Sequence, residues 1–372
     1  MTLPVRNVVI CGGGIIGAAT AYYLSILDIK KTLNITIIER ESVACHSSGK
    51  AGGFLALDWH NAELEPIARL SYSLHEELSK TFKKENIGYR NVNTYSVNSR
   101  TCKSSSTESK QNNRSWVDGK ISQKETIGTT RTTAQVSPFI LTNELMNSAI
   151  TNAGAKLKKG IIVDIEKNID EIVTHVVLSD GSRIDADVVV IAMGAWSFQV
   201  AEFFPLCQNA FNVKGSRAHS IILEADIPPE AMFIQHVDKD GKFHDPEIYP
   251  RPDGTVYICG EGDDAKLPQD PSEIVACPKA CEKLHEIAKS LSSHLKDAKV
   301  LTQQACYVPF SPDNIPIIGK LPFYEEAYIG TGHGCWGILN GPATGKCLAQ
   351  LILKMKPDID LTAFSPKRFI MS

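Results

Sequence analysis

The pattern Gly12-x-Gly14-x-x-Gly17 constrains the fold of this chain more than any other feature of its sequence. A short apolar run at residues 8–11 comes directly before it, and the small and apolar residues 15–27 that follow suit a helix. In this context the first glycine allows a tight turn, the second lets the backbone approach a pyrophosphate, and the third lets helix and strand pack closely. The helix N-terminus offers N–H donors and a partial positive charge. The sequence therefore predicts a dinucleotide-binding unit.

A second apolar run at residues 35–38 completes a strand–helix–strand unit and ends at Glu39. A carboxylate about 20 residues beyond the glycine turn can accept hydrogen bonds from ribose hydroxyls. This position disfavours NADP, although the neighbouring Arg40 would suit its 2′-phosphate. In either case, we expect the side chains of Glu39 and Arg40 to lie beside the ribose of a bound dinucleotide.

The chain is long enough for two domains around an α/β core. Its 372 residues exceed the roughly 250 at which a single core stops growing. The continuous apolar run 187–192 predicts a strand covered on both faces, and residues 138–155 and 272–294 predict helices. Between residues 211 and 260, prolines and Asp253-Gly254 punctuate the strands, which favours a mainly antiparallel second domain.

Composition and cysteine usage narrow the class and location of the protein. A charged fraction of 22% and a net charge of -3 are ordinary for a globular protein and imply no nucleic-acid partner. The longest apolar run is well short of the roughly 18 residues of a membrane span, and from the residues before the first strand we expect no secretion signal. Ten cysteines without a CxxC pair indicate reduced thiols, so we expect a cytoplasmic protein without a metal site. The polar stretch 98–115 is predicted to be a flexible loop.

Three separated segments carry a resemblance to one family. They are the glycine turn, the loop His46-Ser47-Ser48-Gly49-Lys50-Ala51-Gly52-Gly53, and a C-terminal stretch with Gly332-His333, Gly337-Ile338-Leu339 and Pro342-Ala343-Thr344-Gly345. Through them the chain resembles the D-amino acid oxidase and glycine oxidase family of FAD-dependent oxidoreductases, as a fungal-type member. The resemblance implies a Rossmann-like FAD-binding domain of the glutathione-reductase type, with an inserted, mainly antiparallel substrate domain. The first domain is expected at residues 1–89, 136–206 and 301–372, and the second at 90–135 and 207–300.

The resemblance also implies which residues would hold FAD. Loop 47–52 is expected to wrap the pyrophosphate and flavin, residues 330–338 to offer N–H groups near the flavin, and Val163 and Gly194 to lie near the adenine and the phosphates. The expected cofactor residues are Gly12, Gly14, Ile15, Ile16, Gly17, Glu39, Arg40, Ser47, Ser48, Gly49, Lys50, Gly52, Val163, Gly194, Trp196, Cys306, Gly330, Gly332, His333, Gly334, Gly337 and Ile338. Cys306 resembles the cysteine to which sarcosine oxidases attach their flavin. The alternative is a buried, unreactive thiol, and we expect non-covalent FAD.

The family's chemistry is hydride removal from a carbon that bears nitrogen, so the resemblance implies oxidation of a carbon–nitrogen bond in a small amine or amino acid derivative. The chain departs from glycine oxidases at the two positions where those enzymes carry arginines, which here are Val308 and Cys335. Arginine is the usual two-pronged partner of a carboxylate, so a simple amino acid substrate is put in doubt. The candidate catalytic residues in their place are Tyr249, Arg217 and Arg251, with Lys50 as a further anchor.

Two other functions stay open at this point. The first is a flavoprotein with weak or vestigial catalysis that acts in endosomal trafficking, with peripheral association to endosomes, because some fungal relatives are linked to that process. The second is an NAD-dependent dehydrogenase, which would be colourless after purification instead of yellow. The FAD-dependent oxidoreductase and the NAD-dependent dehydrogenase would each act on a small-molecule substrate. The sequence does not fix the substrate, the electron acceptor or the oligomeric state.

Overall fold

A six-stranded sheet carries the glycine turn in the computed structural model, which describes residues 4–100, 116–119 and 121–370. The strands follow the order Ile317–Lys320, Ala327–Thr331, Val188–Ile191, Arg6–Cys11, Leu33–Glu39 and Lys156–Lys159. All neighbouring pairs are parallel except the first, which is antiparallel. The glycine turn follows the carboxyl end of the strand Arg6–Cys11, and ligands of open α/β sheets bind at that edge.

Both faces of this sheet are covered, which explains its continuous apolar runs. Successive residues of a strand point to opposite faces, and accordingly Val8 and Ile10 lie in one apolar cluster while Val9 and Cys11 lie in another. The first cluster also contains buried residues of the helices Ile15–Leu27, Glu65–Thr81, Pro138–Ala153 and Gly337–Ile352. The second contains residues of a three-stranded antiparallel sheet formed by Ile162–Lys167, Val173–Leu178 and Arg183–Asp185.

A second large sheet has eight strands and is mainly antiparallel. Its path follows the order Lys299–Phe310, Lys214–Glu224, Thr255–Asp263, Glu247–Pro250, Glu230–Val237, Asn93–Arg100 and Ile121–Gly128, and Phe243–His244 pairs beside Glu230–Val237. The strands Glu230–Val237 and Asn93–Arg100 run parallel, whereas the other neighbouring pairs run antiparallel. The helix Pro278–Leu291 contributes buried residues to the apolar cluster on this sheet.

The remaining elements are short. A three-stranded sheet joins Phe54–Ala56, Thr133–Gln135 and Arg90–Asn91 in this order. Four-residue α-helices occur at Ser47–Lys50 and Ser293–Lys296, and 3₁₀ helices at Gly194–Phe203, Pro205–Phe211, Pro271–Glu273, Gly334–Trp336, Thr362–Phe364 and Pro366–Phe369. Across the described ranges, the helices lack the combined length and apolar character that a membrane span requires.

These elements confirm the fold class expected from the sequence, an α/β fold with a Rossmann-like parallel sheet and a mainly antiparallel sheet. The first helix spans Ile15–Leu27, as expected. The helix expected over 138–155 ends at Ala153, because Gly154 adopts the left-handed conformation with a φ of 64°. The helix expected over 272–294 is limited to Pro278–Leu291, since Pro278 has no N–H and suits only the first turn.

Strands extend across two of the segment bounds expected from the sequence. In the loop expected over 98–115, residues 98–100 form the end of the strand Asn93–Arg100, and residues 101–115 lie outside the described residues. The domain boundary expected between residues 300 and 301 falls within the strand Lys299–Phe310, which pairs with Lys214–Glu224. A ladder of backbone hydrogen bonds therefore holds this strand in the eight-stranded sheet.

Candidate functional site

A cavity of about 650 Å³ extends from the glycine turn to the eight-stranded sheet. Its lining residues come from the glycine turn, from segments 38–52, 160–162, 192–199 and 330–338, and from neighbouring strands of the eight-stranded sheet. These segments are remote in sequence, so the cavity exists only because the two large sheets pack beside each other.

The glycine turn is so tight that two of its glycines admit no side chain. Gly12 has a φ of 115°, and a Cβ there would lie 2.4 Å from the carbonyl oxygen of Ala192. A Cβ on Gly17 would lie 2.0 Å from the carbonyl oxygen of Gly12. Gly14 lines the cavity directly before the helix Ile15–Leu27. The positive end of the helix dipole is therefore placed at a space that suits a pyrophosphate.

The carboxylate of Glu39 is held in a fixed orientation at the end of the second strand. One oxygen accepts a hydrogen bond from the N–H of Gly13 at 2.7 Å, and the other accepts from the N–H of Glu41 at 2.9 Å. Each carboxylate oxygen has a further lone pair, and the side chain lines the cavity. Arg40 is paired with Asp270 at 2.6 Å. The free acceptor sites thus suit ribose hydroxyls, while the neighbouring positive charge is already neutralised.

Hydrogen bonds fix the loop 47–52 between the glycine turn and the eight-stranded sheet. Ser48 Oγ accepts from the N–H of Ile15 at 2.9 Å, which caps the start of the first helix. Ser47 Oγ donates to the carbonyl oxygen of Tyr307 at 2.6 Å. Lys50 Nζ donates to a strand carbonyl oxygen at 3.1 Å, so its charge is directed at the sheet.

The C-terminal loop contributes a neutral histidine to the cavity wall. His333 is buried between Gly332 and Gly334, both of which have a positive φ. Its Nε2 lies 2.9 Å from the hydroxyl of Thr344, and burial lowers its pKa to about 3. The imidazole is therefore uncharged at neutral pH, and its hydrogen bond fixes the loop that precedes the helix Gly337–Ile352.

Most of the residues expected to hold the cofactor line this cavity. They are Gly12, Gly14, Ile15, Ile16, Glu39, Arg40, Ser47, Ser48, Gly52, Gly194, Trp196, Cys306, Gly330, His333, Gly334, Gly337 and Ile338. Gly17, Gly49, Lys50, Val163 and Gly332 do not belong to the lining. Gly17 and Gly49 instead allow close backbone packing behind it. Val163 is 45% exposed, whereas Ile162 lines the cavity, because neighbouring residues of a strand point to opposite faces.

Cys306 lies in the cavity wall as a buried thiol. Burial raises its pKa to about 11, and Lys50 offsets this only in part. A thiol with this pKa is almost entirely protonated at neutral pH, and the thiolate is the reactive form. Its position suits contact with a bound flavin, whereas its protonation disfavours nucleophilic attack.

The two candidate arginines both donate hydrogen bonds to other residues of the protein. Arg217 lines the cavity, but its Nε and Nη2 donate to the two carboxylate oxygens of Asp263 at 2.8 and 2.7 Å. Arg251 is not part of the lining; it donates to the carbonyl oxygen of Ala51 at 3.3 Å and lies 4.9 Å over the ring of Tyr257. Neither guanidinium therefore offers the cavity a free pair of N–H donors for bidentate binding of a carboxylate.

The third candidate, Tyr249, lies behind the cavity wall and contacts a residue that the sequence did not single out. Its ring stacks on Phe54 with the centroids 5.5 Å apart, and its hydroxyl donates to Oε2 of Glu247 at 2.5 Å. Glu247 itself lines the cavity, together with Cys259 and Cys335. Burial raises the pKa of the Glu247 carboxyl.

No sequence motif marks Glu247 as a site residue. A single acid in a strand is most often a solvated side chain. The available signal was the alternation of Glu247 with Tyr249, which places both side chains on the same face of the strand. Asp245 and Glu261 also line this part of the cavity, and Glu261 accepts from Nδ1 of His244 at 2.6 Å.

Together, the glycine turn, the fixed Glu39 carboxylate and the cavity that reaches a second sheet define a dinucleotide-binding α/β protein with an attached ligand chamber. The family model described as "FAD dependent oxidoreductase" matches residues 7–351. The chain belongs to this family, and FAD is its cofactor. The resemblance seen in the sequence is confirmed, and the matches give no support to the nicotinamide alternative or the endosomal one.

Fungal proteins and solved oxidase structures are similar to the chain over nearly its whole length. The putative oxidoreductase C1F5.03c of Schizosaccharomyces pombe is 32% identical, with 94% of each chain covered. The putative oxidoreductase TDA3 of Saccharomyces cerevisiae is 25% identical, with 98% of this chain and 95% of the relative covered. The structure of glycine oxidase from Geobacillus kaustophilus has a TM-score of 0.77 at 21% identity, and the match covers 98% of this chain and 99% of that one.

The residues of the cavity fit FAD. Gly12 and Gly14 leave backbone at the position of a pyrophosphate, and a Cβ on Gly14 would approach Ser48 Oγ to 3.0 Å. Glu39 stands where the adenosine ribose is expected, and the loop around His333 forms the other end of the cavity. This arrangement matches an elongated ligand with a diphosphate near its middle and a ring at the far end.

Proposed function

We propose that the protein oxidises a carbon–nitrogen bond in a small amine or amino acid derivative, with FAD as the electron acceptor. The observation that carries the proposal is a continuous cavity, which joins the dinucleotide-binding turn to a chamber between the loop 330–338 and the eight-stranded sheet. Structural relatives named glycine oxidase, iminodiacetate oxidase and L-proline dehydrogenase support the reaction class, because each named substrate carries an amine nitrogen.

The protein's part in this reaction is binding and orientation. FAD, when bound, accepts a hydride from the substrate carbon. The glycine turn, Glu39 and Ser48 would hold the nucleotide, and the loop 330–338 would hold the ring. The substrate would lie between this loop and the strands that carry Glu247 and Cys259. His333 is neutral and hydrogen-bonded, so it would support the loop and would not transfer protons.

The proposed reaction is tested by anaerobic reduction of the purified, FAD-bound protein. A panel of primary amines, secondary amines, imino acids and N-methyl amino acids is added, and the flavin absorption band is followed. We expect bleaching with at least one member and formation of the corresponding carbonyl product. A protein that keeps its yellow colour with the whole panel, yet is bleached by dithionite, would refute the proposal.

We propose that FAD is held without a covalent bond. The support is the burial of Cys306, which raises its pKa to about 11 and keeps it protonated. Acid precipitation should leave the yellow colour in the supernatant for the wild type and for Cys306→Ser alike. Colour that stays with the wild-type pellet and moves to the supernatant in Cys306→Ser would show a covalent link and refute this part.

We propose that the chain divides into an FAD-binding domain of residues 1–89, 136–206 and 301–372 and a substrate domain of residues 90–135 and 207–300. All strands of the six-stranded sheet fall in the first set. The strands of the eight-stranded sheet fall in the second, with Lys299–Phe310 crossing the boundary.

We also propose a cytoplasmic location, supported by the nine free cysteines in the described part of the chain. Fluorescence microscopy of the tagged protein tests this location.

A further inference from the structure

We propose that the substrate is an amine without a carboxylate group, and that Glu247 anchors it by pairing with its ammonium group. This inference rests on the proposed oxidation of a carbon–nitrogen bond and specifies the substrate class. It differs from the chemistry of amino acid substrates, whose carboxylate needs a cationic partner in the site.

The charges of the cavity favour a cation over an anion. The ionisable carboxylates of the lining are Glu39, Asp245, Glu247 and Glu261, and its guanidinium groups are Arg40 and Arg217. Arg40 is paired with Asp270 at 2.6 Å. Arg217 is paired with Asp263 at 2.7 Å. Among the described residues, no lysine lines the cavity. A substrate carboxylate would therefore meet three acids at the eight-stranded sheet and no free cation.

Glu247 is the acid best placed to hold a ligand. Its carboxylate has two hydrogen-bond partners within the described residues, the hydroxyl of Tyr249 at 2.5 Å and the thiol of Cys259 at 3.7 Å, and both are neutral donors. A carboxylate removed from water is costly unless a cation pairs with it. By contrast, Glu261 is already paired with His244. The missing positive charge at Glu247 is the feature that an ammonium ion would supply.

The position of Glu247 also suits the chemistry. It lines the cavity together with Cys335, which follows the loop glycine Gly334 at the end expected to hold the flavin ring. An amine must lose a proton before hydride can leave its α-carbon. Transfer of that proton from the ammonium to the Glu247 carboxylate gives a neutral amine and a carboxylic acid. The amine then loses hydride to bound FAD and becomes an iminium ion, which water hydrolyses to a carbonyl compound and the released amine or ammonia.

Ligands with the same apolar group and opposite charge test the anchor by binding alone. The tert-butylammonium ion and pivalate both carry a tert-butyl group, and neither can be oxidised at its central carbon because that carbon bears no hydrogen. Calorimetric titration of the FAD-bound protein should show that tert-butylammonium binds more tightly than pivalate by about tenfold or more. Equal binding, or tighter binding of pivalate, would overturn the inference.

Glu247→Gln keeps an acceptor oxygen for Tyr249 and removes the charge. It should weaken tert-butylammonium binding by about 10- to 100-fold, the usual value of a charge-assisted hydrogen bond. Glu224→Gln is the matched control, since it removes one negative charge from an exposed position on the same sheet and should leave both affinities unchanged. Unchanged ammonium binding in Glu247→Gln would refute the assignment. If this variant does not fold, the wild-type comparison of the two ions decides.

Matched substrates separate this inference from the proposed function. Pyrrolidine is proline without its carboxylate, and dimethylamine is sarcosine without its carboxylate. We expect faster anaerobic flavin reduction by the amine of each pair. Faster reduction by proline and sarcosine would overturn the inference and support the proposed oxidation. Tight binding of tert-butylammonium without flavin reduction by any amine or amino acid would instead overturn the proposed oxidation.

Discussion

The replacement Glu39→Gln should weaken FAD binding more than it weakens the fold. Both carboxylate oxygens of Glu39 accept backbone hydrogen bonds, from Gly13 at 2.7 Å and from Glu41 at 2.9 Å. Glutamine has the same shape, but it offers one acceptor oxygen and one NH₂ group. One of the two backbone N–H groups would therefore face another donor.

The size of the effect follows from these two hydrogen bonds and from the free lone pairs. Loss of one charge-assisted bond, with its N–H left unpaired, should lower the free energy of unfolding of the FAD-free protein by about 1.5–3 kcal/mol. The same replacement removes an acceptor for the ribose hydroxyls, a contact that exists only with FAD bound. A second loss of about 1.5–3 kcal/mol corresponds to roughly 10- to 100-fold weaker FAD binding.

The assay is titration of FAD into the FAD-free protein, followed by quenching of flavin fluorescence, with urea unfolding measured in parallel. Asp28→Asn is the matched control, because Asp28 also accepts two hydrogen bonds, from the hydroxyl of Thr32 at 3.0 Å and the N–H of Leu33 at 2.9 Å. It lies at the other end of the first helix. The control should lose a similar free energy of unfolding and keep its FAD affinity. Equal FAD affinities in the two variants would refute a direct role of Glu39 in binding.

Two further replacements test the packing and the pH dependence of the fold. Gly17→Ala would place a Cβ 2.0 Å from the carbonyl oxygen of Gly12, so urea unfolding of the FAD-free protein should show a loss of about 1–3 kcal/mol or more. Gly337→Ala, whose nearest contact would be 3.7 Å away, should be near neutral, and an equal loss in both variants would contradict this reasoning. Burial lowers the pKa of His75 from 6.5 to about 4, so between these values the unfolded chain binds a proton that the folded chain does not. His75 should therefore contribute a fall of about 1.4 kcal/mol per pH unit to the free energy of unfolding as the pH drops through this range. His75→Gln should reduce the slope by this amount, and an unchanged slope would contradict the assignment.

Local sequence determined the dinucleotide-binding unit. The close packing of Gly17 on Gly12 is a steric limit within one short stretch of chain, and the helix Ile15–Leu27 follows directly from the same stretch. Glu39 was identified in the same way, since a strand that ends beside the turn has a carboxylate at its edge. These features belong to one continuous strand–helix–strand unit, so the sequence pattern of that unit predicts them directly.

Tertiary structure decided which side chains face the ligand chamber and which are already paired. The sequence offers Arg217 as a candidate anchor, but this residue lies opposite Asp263 in the ladder between two strands, and the ion pair formed in that register neutralises its charge. Glu247 is not marked by the sequence, because its importance comes from strand pairing that brings it beside Cys259, with no cation among its partners in the described part of the chain. Strand register and burial depend on contacts between distant segments. The charge of the chamber, on which the proposed class of substrate rests, is therefore a property of the fold and not of any motif.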